Sequence, residues 1–201
     1  MKLYYSPGAC SLAPHIVACE AGLPLELVKV NLKAKKTEDD RDYLAINPKG
    51  YVPALDMGDG IILTEVPAIV QYLADRKPES GLAPQAGTLA RYRLQEWLTF
   101  IGTELHKQVG PLFSPATPPE ARQAALDRIG GRFAYIAKQL DGRSFLTGDT
   151  FTGADAYLYV VLSWAPMLKI DLAAWPALRA FADRVGTRPG VQEARKQEGL
   201  G

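Results

Sequence analysis

The apolar positions of the chain change their period after residue 76. Before that point they come as short, mixed elements. Lys2–Tyr5 is a brief aromatic run cut off by Ser6-Pro7-Gly8-Ala9, the pattern of a strand entering a loop. Helix formers then run from Cys10 to Ala21. Pro14 is tolerated in a first turn, and Gly22 with Pro24 gives the stop. Leu25–Val30 reads as a second strand. A lysine-rich loop at 33–36 and a weakly helical stretch at 40–46 follow, closed by Asn47-Pro48-Lys49-Gly50. Ala54–Met57 and Ile61–Thr64 flank Gly58-Asp59-Gly60, which predicts an antiparallel hairpin. Val66, Ile69, Val70 and Leu73 then stand at i, i+3, i+4 and i+7, one stripe of a helix able to cover a sheet.

The order β-α-β-α-β-β-α over residues 1–76 is that of a thioredoxin-like α/β domain. Residues 77–87 carry Pro78, Gly81, Pro84 and Gly87 and read as a linker. From 88 to 201 no alternating strand pattern returns. Leu94, Leu98, Ile101 and Leu105 mark one long helix, and Leu126, Ile129, Phe133, Ile136 and Leu140 another. Thr152-Gly153-Ala154-Asp155 is a capping box with Asp in place of Glu, opening a buried helix with Val160, Val161 and Trp164. The predicted second domain is all-α.

Composition narrows the partners. Lys+Arg 23 against Asp+Glu 22 leaves a net charge of +1, so no summed field favours nucleic acid or an anionic membrane surface. No apolar run reaches transmembrane or signal-peptide length, and a cytoplasmic protein is expected. Two histidines and two cysteines provide no metal cluster. Placed on one helix, Cys10 and Cys19 would stand about 13 Å apart, beyond the ~7 Å limit for a disulfide.

Cys10 is the leading candidate for chemistry. At the start of a helix its thiol would feel outward-pointing N–H groups and the favourable end of the dipole, which predicts titration well below the free-thiol value of about 8.5. Its segment Cys10-Ser11-Leu12-Ala13 lacks a second thiol, so an external thiol would have to resolve any mixed disulfide. The hydroxyls of Ser11 and Tyr5 could hydrogen-bond a bound thiolate, though Tyr5 reads first as a sheet residue. Glu65-Val66 opens the third helix, where N–H groups can meet a carboxylate and Glu65 an ammonium; first-turn acids also simply stabilise helices. Lys35 could meet a carboxylate or be solvated. Thr99, Thr103 and His106 form a polar stripe at i, i+4 and i+7 beside Lys107, either a cleft wall or a solvated face. An X-Pro bond is trans by general bias, and Val52-Pro53 is expected to be so on residue type alone. His15 reads as structural.

Several motifs occur together and in order: Tyr-Tyr-Ser-Pro-Gly-Ala-Cys-Ser at 4–11, Asn-Pro-Lys-Gly-Tyr-Val-Pro-Ala-Leu at 47–55, Leu-Thr-Glu at 63–65, Glu-Leu-His-Lys at 104–107 and Phe-Thr-Gly-Ala-Asp-Ala-Tyr at 151–157. In this the chain closely resembles the bacterial beta-class glutathione transferases. The resemblance implies that Cys10 is the class thiol, contacting glutathione sulfur or forming a mixed disulfide with it. It implies further that Lys35 meets the glycyl carboxylate and that Val52, before a cis Pro53, pairs with the cysteinyl backbone. Glu65 and Val66 would hold the γ-glutamyl group, with Thr99, Thr103, His106 and Lys107 completing the site, part of it from the second copy of a homodimer. Thr152 and Asp155 match a structural cap. Tyr51 stands where Gln is usual, Val66 where Ser or Gly is common, and Thr99 where relatives have Asn; backbone contacts at Val52 and Val66 survive such changes.

The activity expected from this resemblance is conjugation of glutathione to small hydrophobic electrophiles, with glutathione-dependent thiol-disulfide exchange through Cys10 as a second reaction of the same site. A non-catalytic binding or regulatory protein on the same fold is the alternative of another class.

Overall fold

In chain order the first unit begins β1 (Lys2–Tyr5), α1 (Leu12–Ala21), β2 (Glu26–Asn31), β3 (Lys36–Thr37), α2 (Tyr43–Ile46), β4 (Ala54–Asp56), β5 (Ile62–Thr64) and α3 (Val66–Asp75) in a computed structural model that describes residues 1–201. The strands form one sheet in the order β3-β2-β1-β4-β5. β1 is central, parallel to β2 in the register Leu3 to Leu27 and antiparallel to β4 in the register Leu3 to Leu55. β2 shows why its residues form a strand: Val28 and Val30 are buried while Lys29 and Asn31 face solvent, the period of two of a half-covered sheet. The stripe Val66, Ile69, Val70, Leu73 is buried as its spacing predicts. Tyr4, Val28, Val30, Tyr43, Val52 and Ala54 make a second cluster, with the Tyr4 and Tyr43 rings 5.7 Å apart.

Three local expectations change. The first helix starts at Leu12, with Ser11 as its N-cap, so Cys10 lies in the preceding turn. Lys36–Thr37, expected to be loop, pairs antiparallel with Val30–Asn31 as an edge strand. Its two residues are too few for periodicity to register. The stretch expected to be helical over 40–46 is helical only over Tyr43–Ile46, where the Asp42 side chain accepts the N–H of Leu44.

The second unit, Pro84–Gly186, is helical throughout. α4 (Leu89–Phe100) passes into a π-helical turn at Ile101–His106 and then α5 (Lys107–Val109). α6 (Pro119–Gln139), α7 (Gly153–Ser163), α8 (Ala165–Leu168) and α9 (Pro176–Gly186) follow. Leu94, Leu98, Ile101 and Leu105 are fully buried, so the stripe holds through the change of helix type. α7 is buried from Gly153 to Leu162, the behaviour of a helix apolar on all sides. Asp155 anchors its start: Oδ2 accepts the N–H and the hydroxyl of Thr152, and Oδ1 accepts the N–H of Leu146, all at 2.8 Å.

The chain then returns to the first unit, for Thr187–Gly201 groups with Met1–Ala83. This corrects the expected 88–201 domain. α10 (Pro189–Gln197) lies against α1. Gly190 makes the approach close enough that a Cβ there would stand 2.6 to 2.8 Å from atoms of Glu20. Arg188 grips the Glu20 carboxylate through Nε at 3.1 Å and a terminal nitrogen at 2.5 Å. Glu198, also buried, pairs its Oε1 with His15 Nδ1 at 3.0 Å and accepts the N–H of Gly8 on Oε2 at 2.9 Å. Gln197 Oε1 meets His15 Nε2 at 2.8 Å. Sequence periodicity could not show this, because α10 is a short amphipathic helix that would suit either unit. No helix is long and apolar enough to cross a membrane.

Candidate functional site

The loop from Ser6 to Ser11 joins the central strand to α1. The side chain of Ser11 ties it to itself, accepting the N–H of Ser6 at 3.2 Å and donating to its carbonyl at 3.3 Å. Ser11 is therefore engaged within the loop, and Tyr5 is a buried sheet residue whose ring lies 6.5 Å from that of His15. The Ser11 hydroxyl is thus turned away from the expected role beside the thiol, while Tyr5 takes the place in the sheet that its strand position favours. Cys10 donates its thiol proton to the carbonyl of Val52 at 3.2 Å.

Burial pushes the Cys10 thiol up to about 12, helped by the nearby negative charge of Glu65 and only partly opposed by backbone N–H groups of Cys10 and Ser11. The low titration expected from a helix start is thus reversed. The favourable dipole acts over the first turn, whereas Cys10 precedes the N-cap and has a carbonyl oxygen for its partner, which favours the protonated form. Neither Cys10 nor Cys19 forms a disulfide.

Residues 50–52 are held from behind. The carbonyl of Tyr51 accepts the hydroxyl of Tyr43 at 3.0 Å and the amide of Asn47 at 2.8 Å. The Val52-Pro53 bond is cis, against the general bias and as the family resemblance implies, and both residues are buried. Lys35 Nζ donates to the Gly50 carbonyl at 2.6 Å. Cys10, Lys35, Val52 and Pro53 therefore meet along one short stretch of backbone.

Glu65 follows β5 and caps α3 with φ 73° and ψ 124°, a conformation unusual for a residue with a Cβ. Its Oε1 accepts the Tyr51 hydroxyl at 2.8 Å and Lys49 Nζ at 2.6 Å, and Lys49 also donates to Thr64 Oγ1 at 2.9 Å. The carboxylate raises the pKa of both Lys49 and Tyr51 through these hydrogen bonds. Val66, next in the chain, is buried at the helix start. Lys49 went unread in the sequence, where it looked like part of a helix-ending loop; its only signal was a lysine two residues before Tyr51.

Thr99, Thr103, His106 and Lys107 belong to the second unit. Thr99, Thr103 and Lys107 are exposed and His106 is half-buried. Thr103 spends its hydroxyl on the Thr99 carbonyl at 3.0 Å. The π-helical turn carries Thr103 and His106, and such turns concentrate at functional sites. His106 Nδ1 hydrogen-bonds the hydroxyl of buried Tyr157 at 2.7 Å, and its ring stands 5.1 Å from that of Trp164. Phe113, largely exposed, packs edge-on against Trp164 at 5.6 Å. Tyr157 was legible only as the last residue of a motif. No group of three or more His, Cys, Asp or Glu side chains could hold a metal ion.

Residues 8–76 match the glutathione S-transferase N-terminal domain, and residues 100–189 match the C-terminal domain of the same family. Glutathione S-transferase GstA of Escherichia coli O157:H7 is 46% identical over 200 residues, covering 100% of both chains. A sphingomonad glutathione S-transferase solved in complex with glutathione is 51% identical with a TM-score of 0.96, again over 100% of both chains. The beta-class glutathione S-transferase of Sphingomonas chungbukensis is 46% identical with a TM-score of 0.96 over the same full coverage.

Proposed function

The chain belongs to the glutathione S-transferase family, in its bacterial beta class, and from that premise we propose that it joins the sulfur of glutathione to small hydrophobic electrophiles, with Cys10 acting as a hydrogen-bond donor to that sulfur. It is a transferase with glutathione as co-substrate. The observation that carries the role of Cys10 is its bond to the Val52 carbonyl: a thiol held protonated has a proton to offer an incoming thiolate, as an N–H or O–H would. In the reaction the glutathione thiol releases its proton to solvent, its sulfur forms a bond to the electrophilic carbon, and the leaving group departs with the electrons of the broken bond.

Lys35 is assigned to the glycyl carboxylate, the backbone of Val52 to the cysteinyl unit, and Tyr51, Glu65 and Val66 to the γ-glutamyl group. Thr99, Thr103, His106 and Lys107 are also assigned to glutathione, some of them from the second copy of a homodimer located in the cytoplasm. The aromatic surface of Trp164 and Phe113 beside His106 favours an apolar acceptor.

Thiol-disulfide exchange through Cys10 is the second reading, because a mixed disulfide needs only a resolving glutathione. It requires the Cys10 thiolate, which burial disfavours. Cys10→Ser and Cys10→Ala separate the two. Conjugation of an aromatic halide is expected to fall less than about tenfold in Cys10→Ser and further in Cys10→Ala, while reduction of a mixed-disulfide substrate disappears in both. Equal, complete loss of conjugation in the two variants would sink the donor role. No turnover of either substrate by the unaltered protein would leave a binding protein.

A further inference from the structure

Three rings of the second unit stand in a row, and the outermost is the least enclosed. His106 lies 5.1 Å from Trp164, which lies 5.6 Å from Phe113. Trp164 is 5% exposed and Phe113 44%, so Phe113 is the member of the row with room to move. It ends a short 3-10 turn, Gly110–Phe113. Within that turn the Leu112 carbonyl would look to residue 115 for its donor, and Pro115 has no N–H. Arg122, on α6, supplies one instead: a terminal nitrogen of its guanidinium donates to the Leu112 carbonyl at 2.9 Å. The other terminal nitrogen donates to the carbonyl of Leu168 at 3.4 Å. Leu168 closes α8, and its N–H donates to the Trp164 carbonyl at 3.0 Å, so it stands one helical turn from that ring. One guanidinium thus ties the segment bearing Phe113 to the segment bearing Trp164.

We propose that Arg122 is a positioning residue that sets the size of electrophile accepted, by holding Phe113 at a fixed spacing from Trp164. This rests on the acceptor lying against those two rings. The planar fork of an arginine engages two carbonyls at once in a rigid geometry, whereas a lysine ammonium is a point charge on a flexible stem and cannot hold both at that spacing. Without the fork the Leu112 carbonyl turns to water. The short turn that carries it then moves outward, because Trp164 blocks the inward path and solvent lies on the other side of Phe113. The aromatic wall opens at its Phe113 end, and a larger acceptor fits.

The test compares benzyl chloride with 2-(chloromethyl)naphthalene, which share the reacting carbon and the leaving group and differ by one fused ring. The ratio of their kcat/KM values is measured in the unaltered protein, in Arg122→Met, in Arg122→Lys, and in Phe113→Ala alone and combined with Arg122→Lys. In both Arg122 variants the ratio is expected to shift toward the naphthyl compound by about tenfold, the order that a methylene-sized change in an apolar pocket gives. The dissociation constant of glutathione, read by calorimetry, should stay within about twofold in Arg122→Lys, which general damage to the fold would not allow. Phe113→Ala should shift the ratio in the same direction. Adding Arg122→Lys to it should then change the ratio by less than about twofold, because residues that act through one another are not additive. An unchanged ratio in Arg122→Lys overturns the proposal, and so does a shift of full size on top of Phe113→Ala, which would place the effect elsewhere. No turnover of either chloride by the unaltered protein is a separate result, which removes the acceptor site itself and this inference with it.

Discussion

The carbonyl oxygen of Val52 accepts the thiol proton of Cys10 across 3.2 Å, tying the loop before α1 to the residue before the cis proline. Burial, with the negative charge of Glu65 nearby, keeps the thiol protonated and pushes its pKa up to about 12. Alkylation of Cys10 by iodoacetamide is accordingly expected to keep accelerating above pH 9 without a plateau. A plateau reached by pH 8 would contradict it. Stability should follow. The unfolded thiol releases its proton near pH 8.5 and the folded one near 12, so the stability due to this proton is present below about 8.5 and lost as pH climbs through that window. Urea midpoints at pH 8 and pH 10 should differ more in the unaltered protein than in Cys10→Ala.

His15 is expected to remain an imidazolium at neutral pH. Burial opposes its charge, but hydrogen bonds with Cys19, Glu198 and Gln197 outweigh that cost and bring its pKa up to about 10. The resulting stability is complete below the unfolded value of about 6.5 and is lost as pH rises through 10. The NMR signals of this ring should therefore show no titration between pH 5 and 8. His15→Ala strands the buried Glu198 carboxylate and should cost about 3 kcal/mol, a drop of roughly 6 to 12 °C in Tm.

Gly190→Ala tests the seam between α1 and α10. The added Cβ would fall 2.8 Å from the backbone nitrogen of Glu20 as well as on its side chain, so rotation of Glu20 alone cannot relieve the clash. Overpacking of this kind costs about 1 to 3 kcal/mol. Limited trypsin digestion should then cut after Arg195 and Lys196, within α10, before it cuts elsewhere; an unchanged digestion pattern and Tm would show that the helices separate without penalty.

Asp155→Ala removes one acceptor group from three donors. The N–H groups of Leu146 and Thr152 would be left buried without their partner, alongside the Thr152 hydroxyl. The expected loss is about 3 kcal/mol in denaturant midpoint. Asp155→Asn, which keeps one carbonyl oxygen, should recover part of it, and equal stability of the two variants would rule out the cap as the cause.

Much of the fold was legible because it repeats. The Val66 to Leu73 stripe, the hairpin around Gly58-Asp59-Gly60 and the cap at Thr152 and Asp155 are local patterns that fix local structure. Lys36–Thr37 escaped because two residues have no period, and the placement of α10 escaped because its partners, His15 and Glu20, are separated from it by the whole second unit. At the site, motif order marked Cys10, Val52 and Glu65. It could not show what each side chain touches, which is why the thiol was expected to be acidic and Lys49 was passed over. A titration depends on how deeply the group is buried, and Cys10 is enclosed by a backbone stretch some 42 positions away that no local pattern announces.

The return of Thr187–Gly201 to the first unit also sets an order of events during synthesis. The ribosome makes the sheet and α1 first and all of the second unit next, and only afterwards the helix that covers α1 and the carboxylate that holds Gly8 and His15. The loop bearing Cys10 therefore gains its last fixed contacts after the rest of both units has been translated. A chain interrupted anywhere in the second unit carries Cys10 but not the residues that steady its loop.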